Sequence, residues 1–112
     1  LAACSVAALL HPTAATCRLP IEFSKDTRPS GVTAGPANSI VVVSDTGTIL
    51  FVDMEDYGIR EDSALNDRYR DAYGWFDLEG VAMTNPESTF MYLGMEGKAA
   101  VLEYEWHTSR RV

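Results

Sequence analysis

The apolar positions of this chain fall into short branched runs rather than helical stripes. Ile40–Val43 and Ile49–Val52 are continuous apolar runs. Runs of that length rich in Val and Ile read as strands covered on both faces. Asp45-Thr46-Gly47 joins them, and that turn chemistry suits a tight antiparallel hairpin. Phe90–Leu93 and Ala100–Leu102 form a second pair around Gly94-Met95-Glu96-Gly97. A short strand precedes each pair, Val32-Thr33-Ala34 and Gly80-Val81-Ala82, and Gly35-Pro36-Ala37-Asn38 is a turn. Residues 55–75 differ in character. Glu55–Asp62 is an acidic turn with a possible outer strand, Ser63 can cap a helical turn with Leu65 and Tyr69 on one face, and the stretch reads as a connection containing one or the other. Arg18–Phe23 alternates and reads as an edge strand, where Pro20 is tolerated.

The two halves repeat. Pro29-Ser30-Gly31-Val32-Thr33-Ala34 has the form of Phe76-Asp77-Leu78-Glu79-Gly80-Val81-Ala82 without the acids. Pro36 and Pro86, Gly47 and Gly97, and Asp53 and Glu103 stand 50 apart, whereas Gly31 and Gly80 stand 49 apart. A repeat of this size built from short strands predicts an all-β fold of antiparallel four-stranded blades, as in a β-propeller. About two blades are present, over 29–54 and 79–106, behind an apolar arm over 1–17. Two blades leave the ring incomplete and sheet faces exposed. Either identical subunits or the remainder of a longer chain then completes the structure. Thr108–Val112 reads as a stub where an outer strand belongs, and Arg18–Phe23 as a spare strand. That combination invites head-to-tail strand addition, closing a ring or propagating a filament.

Charge narrows the partners. Nine basic residues face 16 acidic ones among 112, a net charge of −7. Nucleic acid and anionic membranes call for clustered Lys and Arg, and only Arg110-Arg111 are adjacent. No apolar run reaches the roughly 20 residues of a spanning helix. Leu1–Leu10 is either the remnant of an export signal or an apolar arm buried against something. Without an initiator Met the chain reads as processed, trimmed or incomplete. Cys4 and Cys17 both lie in the arm. A disulfide between them suits a secreted or cell-surface protein, with two buried thiols as the alternative.

In a four-stranded blade, the loop entering the innermost strand and the loop joining the second and third strands lie at one end. That arrangement gathers Asp45, Asp77, Glu79 and Glu96 on one rim. Hard cations take several carboxylate and carbonyl oxygens, so Ca²⁺ is the cofactor such a rim suits. Turn capping and simple solvation are the alternative, and paired carboxylates also serve as acid and base. His11 and His107 are isolated, and Ser44 lacks a Gly-x-Ser-x-Gly frame. No phosphate loop, paired-His zinc helix or CxxC is present.

At these residues the chain resembles the secreted β-propeller families called SdiA-regulated and esterase-like activity of phytase. Asp77-Leu78-Glu79-Gly80-Val81-Ala82 matches their Asp-x-Glu-Gly-Ile/Val-Ala element, and Ser30-Gly31-Val32 its variant in a neighbouring blade. Val43-Ser44-Asp45 and Tyr92-Leu93-Gly94-Met95-Glu96 match the second element. Leu102-Glu103-Tyr104-Glu105-Trp106 matches the third. The resemblance spans roughly residues 18–112. It implies either a metal-dependent phosphoester or ester hydrolase, or a non-catalytic surface propeller, and complete members carry several more blades. Three readings of function follow. The first is a secreted structural or interaction module that self-associates or joins a larger assembly. The second is a fragment of a Ca²⁺-dependent hydrolase, and the third a small sugar- or ligand-binding module at the rim.

Overall fold

A computed structural model describes residues 16–74 and 76–106. The chain forms two antiparallel sheets and little helix. In the first sheet, β1 (Pro29–Ala34), β2 (Ser39–Ser44), β3 (Ile49–Asp53) and β4 (Ile59–Asp62) pair in sequence order. In the second, β5 (Leu78–Ala82), β6 (Phe90–Met95) and β7 (Ala100–Glu105) do the same. Helix α1 (Ala64–Tyr73) links the two sheets.

The outer strand of the first sheet is β4, which follows the three inner strands in the chain. Arg18–Phe23 forms no strand, against the expectation from its alternation. Ile21 and Phe23 instead pack on Val42, Leu50 and Val52. They cover the apolar face of their own sheet through side chains, which is the role left for a segment interrupted by Pro20. The spare strand of the head-to-tail scheme is therefore in use within the chain.

The connection between β3 and β5, expected to contain an outer strand or one helical turn, holds both β4 and a full helix. The Asp62 carboxylate accepts a hydrogen bond from the Ala64 amide at 2.9 Å, which satisfies one of the free donors of the first turn. Ser63 is the N-cap residue, but its hydroxyl donates to the Asp67 carboxylate at 3.0 Å instead of capping. Gly74, at φ 81°, ends the helix with its amide on the Arg70 carbonyl. Leu65 is buried in the core while Tyr69 is exposed, so the two expected on one face are split. Asn66 ties it to the β2–β3 turn by donating to the Thr46 carbonyl at 3.0 Å.

Two apolar layers hold the sheets. Val41, Val43, Ile49 and Phe51 of the first sheet meet Met91, Leu93, Met95, Tyr104 and Trp106 of the second half, with Leu65, Phe76 and Leu78. Val42, Leu50 and Val52 face the other way, under Ile21 and Phe23. The continuous apolar runs of β2 and β3 thus do mean two covered faces. The second sheet behaves differently. Along β6, Met91, Leu93 and Met95 are buried while Phe90 is exposed and Tyr92 half-buried. On β7, Ala100 and Val101 are exposed, so the expected burial of Ala100–Leu102 does not hold. β7 is a marginal strand with one open face among the described residues.

Strand pairing defines which residues are equivalent. Gly31 pairs with Val43 and Gly80 with Gly94; Val43 pairs with Ile49 and Gly94 with Val101. The offset between the sheets is therefore 49 at β1/β5, 51 at β2/β6 and 52 at β3/β7. The uniform spacing of 50 breaks down because the loops of the second half are longer. Residue for residue, the face that the first sheet turns to the second (Val41, Val43, Ile49) is equivalent to the open face of the second (Tyr92, Gly94, Val101). The covered face of the second (Val81, Leu93, Leu102) is equivalent to the outer face of the first (Val32, Val42, Leu50). The two sheets stack front to back.

Candidate functional site

Each sheet opens with the same irregularity. The β1–β2 register shifts between Pro29 and Gly31, and the β5–β6 register between Leu78 and Gly80. Ser30 and Glu79 are the extra residues. A bulge turns its residue out of the ladder and re-aims its side chain. Ser30 lies between the two sheets, its hydroxyl donating to the Leu78 carbonyl and to the Val43 carbonyl. Glu79 is exposed at the rim. Beside the bulges, β1 and β5 come close enough that a Cβ on Gly31 would lie 2.8 Å from Gly80 Cα.

The backbone frame around each bulge is also repeated. The Asp45 amide donates to the Arg28 carbonyl, and the Glu96 amide to the Asp77 carbonyl, both at 3.1 Å. Asp45 and Glu96 each start the turn after the second strand, and Arg28 and Asp77 each precede the first. What differs is charge. In the first sheet Arg28 Nε sits 3.3 Å from Asp45 Oδ2, and the bulge carries a neutral Ser. In the second, Asp stands in place of Arg and Glu in place of Ser.

Asp77, Glu79 and Glu96 accordingly converge, each offering an oxygen within 4.8 Å of the others. None of the three forms an ion pair among the described residues. Asp45 stays apart, held by Arg28, yet its charge reaches Glu79. The carboxyl of Glu79 keeps its proton above the ordinary 4.5. The first cause is its hydrogen bond to Glu96, followed by the negative charge of Glu96. A proton bridging two carboxyls relieves part of their repulsion. Asp77 Oδ1 is buried without a hydrogen-bond partner, as is Asp45 Oδ1. A buried acceptor left bare is unfavourable by about 1–3 kcal/mol.

Three carboxylate oxygens at this separation suit a hard cation bound at 2.3–2.6 Å, with water and carbonyls filling its shell. The four acids expected on one rim are thus placed as a trio plus a neutralised neighbour. Arg28 and Ser30 are the residues that sequence reasoning missed. Their signal was the alignment of Ser30-Gly31 with Glu79-Gly80, which puts Arg28 opposite Asp77.

The opposite end of the first sheet offers a different surface. Phe51 and Trp106 stack with centroids 5.0 Å apart, and the Arg60 guanidinium covers Phe51 at 4.4 Å. A depression of about 360 Å³ beside them is edged by Asp53, Asp56 and Arg60. Both rings are buried, so they act as packing rather than as an open platform for a sugar. The expected Cys4–Cys17 disulfide extends outside the described residues, as Cys4 does, and no described cysteine is free. His11, His107, Trp75, Arg110 and Arg111 also lie outside them. Among the described residues no helix is long and apolar enough to cross a membrane. Comparison with protein-family models, curated proteins and solved structures finds no match to this chain.

Proposed function

We propose that this chain is a secreted structural and interaction module built from two propeller-type blades, which self-associates or joins a larger assembly through the open face of its second sheet. The observation that carries the reading is the front-to-back stacking of the two sheets. Stacking of this sense joins non-equivalent faces, and it leaves the face of the second sheet that carries Tyr92, Gly94 and Val101 open while Ile21 and Phe23 cover the outer face of the first. A two-fold sandwich would instead use up equivalent faces and end there. Static light scattering over a concentration series tests the reading. A mass that rises above that of one chain is expected. The mass of a single chain at every concentration overturns it.

The acidic trio favours a second element of function, a Ca²⁺ site at the rim of the second sheet. Its support is the exchange of Arg28 and Ser30 for Asp77 and Glu79 within one repeated frame, which removes the internal counter-charge. Calorimetric titration of Ca²⁺ should give heat with the wild type and little with Glu79→Ala. Absence of heat in the wild type removes the metal. Turnover of p-nitrophenyl phosphate or acetate, present with Ca²⁺ and lost in Glu79→Ala, would favour the hydrolase reading over the structural one.

A further inference from the structure

We infer that the open face of the second sheet takes an extended cationic segment of another protein, which seats an apolar side chain over Gly94 and lays Lys or Arg side chains against Glu103 and Glu105. The inference rests on the reading of this face as the contact surface and specifies its partner. Side chains directly opposite in an antiparallel pair share a face. Phe90 pairs with Glu105, Tyr92 with Glu103 and Gly94 with Val101. These pairs alternate with Met91–Tyr104 and Leu93–Leu102, which turn inwards to the core.

The open face combines apolar surface with negative charge. Phe90 is 37% exposed and Val101 70%. A hollow of about 440 Å³ lies over Gly94, Ala100 and Val101, with Glu79 and Glu96 at its edge. Glu103 and Glu105 stand on the face itself. From Leu78 to Glu105 the sequence has five carboxylates, at 79, 87, 96, 103 and 105, and Lys98 is its one cation. None of these carboxylates forms an ion pair among the described residues. The Tyr92 hydroxyl donates to Glu103 at 2.8 Å, which holds an acceptor in the middle of the face.

The first sheet shows what a face covered by another sheet requires. Val41, Val43, Ile49 and Phe51 are buried in the core there. Their equivalents in the second sheet are Tyr92, Gly94, Val101 and Glu103. Gly94 for Val43 opens a hollow, and Glu103 for Phe51 puts a carboxylate where a buried ring would pack. An extended segment answers both changes. Its side chains return to one side at every second residue, as Val101, Glu103 and Glu105 do along β7. A segment with an apolar residue followed two and four positions on by Lys or Arg therefore matches the hollow and the two carboxylates in turn. Complementary charge selects such a partner and steers it to the face. A second copy of this chain carries a net charge of −7 and meets the same face only at high concentration.

Peptide titration tests the pairing. A capped peptide Ser-Leu-Ser-Lys-Ser-Lys-Ser and its counterpart with Glu in place of Lys are added to isotope-labelled protein, at a concentration where light scattering gives the mass of one chain. The amide signals of Phe90, Gly94 and Val101 should move with the lysine peptide and stay fixed with the glutamate one. Glu103→Gln and Glu105→Gln, with their fold confirmed by circular dichroism, should each weaken binding about threefold, as for an exposed ion pair. Equal shifts with both peptides, or affinities that these variants leave unchanged, overturn the cationic partner. No shift with either peptide, while the same signals move with protein concentration, means that a second copy takes the face; this inference then falls and the contact surface stands. No shift in either experiment overturns both.

Discussion

Substituting the two glycines where the sheets touch should give opposite results. A Cβ at residue 31 would lie 2.8 Å from Gly80 Cα, 3.2 Å from the Glu79 carbonyl oxygen and 3.3 Å from Gly80 C. Ordinary carbon contacts are about 3.5–4.0 Å, so β1 and β5 would have to separate by a sizeable fraction of an ångström. All three neighbours are backbone atoms, and no side chain can rotate away. Overpacking of this kind costs about 1–3 kcal/mol. With a urea slope of about 1–3 kcal/mol/M, Gly31→Ala should lower the unfolding midpoint by about 1 M. Gly80→Ala meets nothing within 4 Å, and its φ is not positive. There the restricted unfolded chain should leave stability unchanged or raised by about 0.4–1 kcal/mol. Equilibrium urea unfolding followed by fluorescence compares the two. Equal shifts, or a neutral Gly31→Ala, would refute the close approach of the first strands.

Two further outcomes follow from the turns and the rim. Ala37 holds φ 51° in the β1–β2 turn, a left-handed conformation that disfavours a side chain. Ala37→Gly should therefore stabilise by about 0.5–1 kcal/mol, read as a higher urea midpoint. Glu79 binds its proton more tightly folded than unfolded, first through its hydrogen bond to Glu96. Below 4.5 both states are protonated and its contribution to stability is fully present. Above it the unfolded chain ionises first, so stability falls as pH rises towards the raised folded value and stays lower beyond it. Glu79→Gln should flatten that part of a stability–pH profile, and an unchanged slope would remove the Glu79–Glu96 hydrogen bond as its cause.

Much of the fold was legible because it rests on local patterns. Ile40–Val43 and Ile49–Val52 declare their strands through branched side chains, and Gly47, at φ 89°, suits the turn between them. The helix was harder to see because Leu65 is buried while Tyr69, one turn on, is exposed, so the two do not form an apolar stripe. Arg18–Phe23 shows that alternation marks a half-buried extended segment without deciding whether its backbone joins a ladder. The gathering of Asp77, Glu79 and Glu96 was legible because a loop entry and a hairpin turn share one end of a sheet. That Asp45 stands apart was not, since it depends on Arg28 reaching back across the bulge. The front-to-back stacking was hidden for a similar reason. It appears only when pairing partners replace a constant sequence offset, because Gly31, Val43 and Ile49 each have a different offset to their equivalents.

The central claim is that the chain associates through the open face of its second sheet. Amide correlation spectra of isotope-labelled protein, recorded from dilute to concentrated solution, test it most directly. The account predicts that signals move at Phe90, Gly94 and Val101 on the open face of the second sheet, while those around Tyr69 stay fixed. Spectra that do not change with concentration, or shifts centred on the helix, would contradict it.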